Sequence, residues 1–283
     1  ERETGSAFQS QTGRKEKRRN QEKINRQRSK VMNEEQEVRY SRHILLKDLG
    51  YEGQDKIANS HVLVIGAGGL GSPASMYLAS GGFGKLTLVD NDQVELTNLQ
   101  RQILHSTDRI GKNKAESGKQ TLTGINPTID IVTITDRMDE TSLPELVRTA
   151  DVVLDCTDNF KTRLIVMAAG VPLVSGAVVQ FDGQISVYDP RRDDSPCYAC
   201  LFSEDQHFED LKAAQVGVFA PLVGIIGTMQ AAEALKLAAG IGTSLAGSLL
   251  LLDALTMEWT RIGIDRNPDC PVCSARNKLK QAV

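Results

Sequence analysis

Short apolar runs separated by helix-length stretches recur through the first half of the chain. The segments 61–66 (HVLVIG), 85–92 (KLTLVDND) and 151–155 (DVVLD) are such runs, and LGSPASMYLASGG lies between the first two. This alternation of strand, helix and strand predicts a parallel sheet buried on both faces. Further helices are predicted at about 112–124 and 142–149, with an extended segment at about 130–135. Upstream, residues 38–49 (VRYSRHILLKDL) alternate basic and apolar positions and predict a helix on the outside of the domain. After Pro172 the pattern changes: PLVSGAVVQFDGQISVYDP predicts two or three antiparallel strands with Asp182-Gly183 at a turn. A polar loop (SEDQHFEDLKAAQ), a long helix from Pro221 and the strand-like SLLLLDAL follow. The expected fold class is α/β: a Rossmann-like, mostly parallel sheet with flanking helices, continued by an antiparallel C-terminal part.

Charge divides the chain. Residues 1–31 hold ten Lys/Arg against four Glu, a net +6, so the whole-chain value of −3 leaves −9 for residues 32–283. The basic stretch has no apolar periodicity and reads as a disordered or vector-derived extension preceding Met32, rather than a nucleic-acid arm. Hydrophobic residues make up 40% and charged residues 24%, ordinary for a globular chain of this length. No signal peptide is read. The longest uncharged stretch, 213–232, contains Pro221 and three glycines and is expected to be a buried core helix rather than a membrane span. The cysteines suit a reducing, cytoplasmic setting.

The sequence GAGGLG at 66–71 follows the first apolar run and opens a helix. There Gly66 permits the tight turn, Gly68 and Gly69 let the backbone approach a phosphate, and Gly71 lets the helix pack on the strand. Asp90 ends the next strand, about 20 residues on, where a carboxylate takes ribose hydroxyls. These features alone leave a dinucleotide cofactor open. Arg101 and Lys114, aimed at the same mouth, suit the greater charge of a triphosphate. Asp155 and Asp158, at the end of another parallel strand, offer hard oxygen ligands for Mg²⁺.

Cys197/Cys200 and Cys270/Cys273 form two Cys-x-x-Cys pairs, 69 residues apart. That spacing fits a four-thiolate structural zinc, with free thiols or disulfides as alternatives. None of the four histidines falls in ligand spacing with them.

Taken together, RYSRH (39–43), GAGGLG, DND (90–92), NLQRQ (98–102), Lys114, DCTDN (155–159), PLVSGA (172–177), CYACL (197–201), GVFAPLVGIIG and CPVC resemble the MoeB/ThiF/HesA family, relatives of the adenylation domain of ubiquitin-activating enzymes. The match spans about residues 33–275. The resemblance implies a single adenylation domain over 32–283, with a nucleotide-binding part at about 32–170 and a carrier-binding and zinc part at about 171–275. It implies ATP- and Mg²⁺-dependent adenylation of the C-terminal glycine of a small ubiquitin-like sulfur carrier, MoaD-like or ThiS-like, by a homodimer. By the same resemblance Gly66, Gly68, Gly69, Gly71, Asp90, Asp92, Asn98, Gln102 and Asn159 shape the nucleotide pocket. Asn98, Arg101 and Lys114 contact the phosphates, Asp158 holds Mg²⁺, and Arg42 reaches into the neighbouring subunit's site.

Two departures from the family pattern stand out. Ala213 occupies a loop position where many relatives carry cysteine, and the segment between Arg163 and Val171 is about four residues short, roughly one helical turn. Only ten residues follow Cys273, so the sulfur donor is expected to be a separate protein. The competing readings are an NAD-dependent oxidoreductase, which leaves Arg101, Lys114 and both cysteine pairs unused, and a non-catalytic binder of a ubiquitin-like protein.

Overall fold

The apolar runs assemble into one eight-stranded sheet flanked by helices. The computed structural model describes residues 31–157, 160–202 and 216–274, so the basic arm before residue 31, Asp158, Asn159 and Ala213 lie outside the described residues. In chain order come α1 (Glu34–Arg39), α2 (Ser41–Ile44), α3 (Gly50–Ala58), β1 (His61–Ile65), α4 (Gly71–Gly81) and β2 (Lys85–Val89). Then follow α5 (Lys114–Ile125), β3 (Asp130–Ile134), α6 (Ser142–Val147), β4 (Val152–Asp155), α7 (Phe160–Ala169) and β5 (Leu173–Val179). The chain continues through β6 (Asp182–Tyr188), α8 (Tyr198–Leu201), α9 (Ala220–Ala239), β7 (Ser248–Asp253) and β8 (Glu258–Gly263).

The strand order is β3-β2-β1-β4-β5-β6-β7-β8. Pairings from β3 to β5 are parallel and those from β5 to β8 antiparallel. Successive side chains of a strand face opposite ways, which splits the core in two. Val62 and Val64 pack with Leu78 of α4, Leu122 of α5 and Ile226 of α9. Leu63 and Ile65 face the other side, with Val147 of α6, Val166 of α7 and Tyr198 of α8. The chain order of the strands switches from one side of β1 to the other at β4, while β1 and β4 stay parallel, and Ile65 is in register with both Val89 and Asp155. Three chain segments therefore leave the sheet side by side at the carboxyl edge, the crevice where ligands bind in open α/β sheets.

The apolar helix α9 is long and apolar enough by composition to cross a membrane. Here Leu222, Ile226, Gln230 and Ala234 are buried, and the helix packs on α4, α3 and β5. It is a core helix, begun by a proline in its first turn and ended by Gly240 in the left-handed conformation.

Two local expectations are corrected. Residues 38–49 form no single helix: α1 and α2 break at Tyr40, whose ring is buried and bonded to Asn126. The hairpin turn falls at Gln180-Phe181, with Gln180 at φ +51°, and Asp182-Gly183 lies inside β6. Gly183 is needed there for packing, since a Cβ would stand 2.9 Å from Ile226 of α9. Strand β8, exposed at every position, and helix α3 have no counterpart in the sequence-based reading.

Candidate active site

A cleft of about 860 Å³ opens over the carboxyl ends of β1, β2 and β4. The glycine turn forms its floor. Gly66 sits at φ +99°, and a Cβ there would approach the Cys156 carbonyl oxygen to 2.7 Å; a Cβ on Gly71 would run into the Gly66 carbonyl. Both positions therefore require glycine. Helix α4 starts immediately after, with no side-chain cap on its N-terminus among the described residues, which leaves its positive end directed at the cleft. Gly68 and Gly69 line the cleft with Asp90, Asp92, Arg101, Gln102 and Lys114.

The charged groups are held in different ways. Asp90 accepts hydrogen bonds from the backbone N–H of Ala67 at 2.7 Å and of Asp92 at 2.9 Å, so it fixes the glycine turn while keeping lone pairs free. Lys114, at the first position of α5, is buried and its Nζ lies 2.9 Å from the exposed Asp92 carboxylate. Arg101 is half-buried and donates to the Thr97 carbonyl. Gln102 is 4% exposed, and its Oε1 has no hydrogen-bond partner within the described residues. An orphaned buried acceptor of this kind is costly unless a ligand or water supplies a donor. Asn98 is not brought into the cleft; its side-chain oxygen accepts the Glu95 N–H in a turn. Arg42 is exposed on α2 and is likewise absent from the lining.

His105 is a contributor that residue-by-residue reading missed. Its ring is buried, with Nε2 at 2.9 Å from the Ala67 carbonyl and Nδ1 at 2.9 Å from Ser117 of α5. It thus ties the glycine turn to the helix that carries Lys114. Burial lowers its pKa and keeps the ring neutral. Its place three residues after the end of the NLQRQ segment is the only signal the sequence offers.

At the end of β4 the structure corrects an expectation. Asp155 is fully buried and is not an open ligand for a cation. Its Oδ2 accepts from Arg163 Nε at 2.5 Å and its Oδ1 from both the N–H and the hydroxyl of Thr157. The Arg163 guanidinium also donates to the Tyr198 hydroxyl and the Thr157 carbonyl. Although burial opposes its charge, the Asp155 carboxylate and the Tyr198 hydroxyl hold it well above the ordinary value. Asp158 and Asn159 lie outside the described residues, and Cys156 is a buried thiol pushed well up by desolvation and by Asp155.

The four remaining cysteines meet. Cys197 Sγ is 3.7 Å from Cys200 Sγ and 3.5 Å from Cys270 Sγ, and Cys200 Sγ is 3.6 Å from Cys273 Sγ. All four sulfurs lie within 4.8 Å of one another. Bonds of about 2.3 Å in a tetrahedron give edges of about 3.8 Å, so the cluster matches a four-thiolate metal site. No pair approaches the roughly 2.05 Å of a disulfide, and all five cysteines are free. The cluster can hold a metal ion.

Glycine turn, acidic strand end, Arg/Lys pair and four-sulfur cluster occur together within one stretch of chain, and residues 40–272 match the ThiF family. The chain belongs to the ThiF family. It is similar to the molybdopterin-synthase adenylyltransferase of Escherichia coli (strain K12), 44% identical over 249 residues, 86% of this chain and 98% of that protein. It is also similar to the sulfur carrier protein ThiS adenylyltransferase of the same organism, 44% identical over 250 residues, 87% of this chain and 98% of that protein. The crystal structure of E. coli MccB with ATP superposes with a TM-score of 0.72 at 28% identity, covering 83% of this chain and 74% of that one. This ThiF-family chain is an adenylyltransferase, which removes the oxidoreductase alternative.

Proposed function

We propose that the chain uses ATP to adenylate the C-terminal glycine of a ubiquitin-like sulfur carrier, MoaD-like or ThiS-like, and releases pyrophosphate. The carrying observation is the convergence of Arg101 and Lys114 on the glycine turn at the uncapped end of α4. A terminal carboxylate has a pKa near 3.5, so it is ionised at pH 7 and needs no general base. The described lining of the cleft accordingly holds no histidine. Catalysis reduces to bringing a carboxylate oxygen in line with the α-phosphate and screening the repulsion of two anions. Asp90 has lone pairs left for ribose hydroxyls, and Arg101 and Lys114 face the phosphates. Asn98 supports the turn before Arg101 through the Glu95 N–H. Mg²⁺ supplies further screening when bound; Asp158 is its proposed ligand, and Asn159 neighbours it.

Zinc is the metal proposed for Cys197, Cys200, Cys270 and Cys273, where it would clip the chain end to the sheet. The carrier is proposed to dock on the antiparallel part, about 171–275, where Phe181, Phe219, Met257 and Trp259 are exposed. A homodimer with Arg42 reaching across, a separate sulfur donor and a cytoplasmic setting complete the reading, with neither nucleic acid nor a membrane as partner. Incubation with ATP, Mg²⁺ and a carrier ending in Gly-Gly, followed by mass spectrometry, tests it. A carrier heavier by one AMP is expected, and an unmodified carrier beside consumed ATP would contradict it.

A further inference from the structure

The four-cysteine cluster and the nucleotide cleft are joined by a short path: the helical turn that carries Cys197 and Cys200 also carries Tyr198, and hydrogen bonds run from the Tyr198 hydroxyl to the cleft. Tyr198 stands between Cys197 and Cys200 on α8, and is 4% exposed. Its ring packs on Phe202 at 4.8 Å and edge-on to Tyr188 at 5.5 Å, which fixes the hydroxyl. That hydroxyl is 2.6 Å from Arg163 Nη1. Arg163 spends its other donors on Asp155 and on the Thr157 carbonyl, and so clamps the turn that leaves β4 at the cleft. Thr157, Arg163, Tyr198 and Phe202 all line the same cleft as the glycine turn.

We infer that the metal centre positions the nucleotide site through Tyr198 and Arg163, in addition to fastening the chain end. A metal held by Cys197 and Cys200 fixes the one turn of helix between them, because both ligands lie within three residues of each other. With α8 fixed, the Tyr198 hydroxyl stays where Arg163 needs it, and Arg163 keeps the 155–157 turn in one conformation. Without it, the guanidinium loses a partner while still buried, a situation that favours rearrangement. Tyr198 and Arg163 are positioning residues; neither touches the reacting atoms. The inference rests on the adenylation reading for the identity of the nucleotide.

Tyr198→Phe keeps the ring stack and deletes only the hydroxyl. Calorimetric titration of the full chain with ATP and Mg²⁺ should give a dissociation constant raised about tenfold, the scale of one hydrogen bond to a charged group. Metal content by atomic emission should be unchanged, and the melting temperature should fall by only a few degrees. Mild chelation should weaken ATP binding in the wild type but add little in Tyr198→Phe, the non-additivity expected of two lesions in one path. Equal ATP affinity in Tyr198→Phe and wild type, with metal retained, overturns the inference alone. If the variant loses metal or fold, Arg163→Lys decides: the charge facing Asp155 is kept but the fork to Tyr198 and Thr157 is lost. Unchanged ATP affinity in Arg163→Lys also overturns the coupling. A wild-type chain that binds no ATP would defeat the adenylation reading and this inference with it.

Discussion

Arg101 and Lys114 both face the cleft, but they are restrained differently. Lys114, the first residue of α5, is buried and paired with Asp92, whereas Arg101 is half-buried and, among the described residues, held by one backbone carbonyl. Arg101 is therefore free to follow the phosphates as charge moves. Arg101→Ala should slow adenylation by at least ~100-fold, the scale of losing a preorganised charge contact, with the melting temperature unchanged. Pyrophosphate exchange at the wild-type rate in that variant would remove Arg101 from the mechanism. Cys156 supports a second prediction. Its thiol is buried beside Asp155 and bonded to Gln230 at 3.7 Å, so it is neither exposed nor a thiolate. With alanine rather than cysteine at position 213, this chain should form carrier-adenylate without a covalent thioester or acyl-disulfide. A hydroxylamine- or reductant-sensitive adduct in mass spectra would contradict that.

Among the elements, two buried histidines pin the parallel half together. His61 bridges the Thr149 carbonyl and the Thr87 hydroxyl, and His105 bridges the glycine turn and α5. Burial lowers the pKa of both below the ordinary imidazole value of about 6.5. The unfolded chain therefore takes up protons first as pH falls. The stability these rings contribute is full above about pH 6.5 and is lost as pH drops below it toward their folded values. Urea unfolding at about pH 7.5 and about pH 5.5 should show a lower midpoint in the acid, and His105→Gln should reduce that difference. An acid-independent midpoint would mean that neither ring is held neutral.

The same scale explains what the sequence could and could not disclose. Strands β1, β2 and β4 are covered on both faces, so their apolar runs stood out. Strand β8 is an edge strand exposed throughout, and nothing in EWTRIG marks a buried face. Helix α3 begins with glycine and buries only Gly53, Gln54 and Ile57, too few apolar positions to show a period. Asp182-Gly183 looked like a turn because its glycine was read as a backbone requirement, when packing under α9 demands it. The glycine turn, Asp90, Arg101 and Lys114 were legible because each is tied to a motif at fixed spacing. Arg163 was not, because its role depends on Asp155 and Tyr198, which only the fold brings together.

For the whole molecule, Arg42 lies on α2, next to His43, whose ring meets Gln54 beside the Gly81 carbonyl at the far end of α4 from the glycine turn. In its own subunit it is thus about a helix length of 16 Å from the cleft, and its proposed role is across the dimer. Mixed Arg42→Ala and Asp158→Ala protomers, each inactive alone, should recover up to about a quarter of wild-type activity, since half the dimers formed would carry one site with neither lesion. No recovery after verified subunit exchange would return Arg42 to a role within its own chain.

The central claim is that a carrier's terminal carboxylate attacks ATP in this cleft. Isotope exchange between pyrophosphate and ATP reads that step directly, because exchange requires reversible formation of the acyl-adenylate. The account predicts exchange that depends on a carrier ending in Gly-Gly and vanishes when the last glycine is removed. Exchange of equal rate without the carrier, or none with it, would contradict the account.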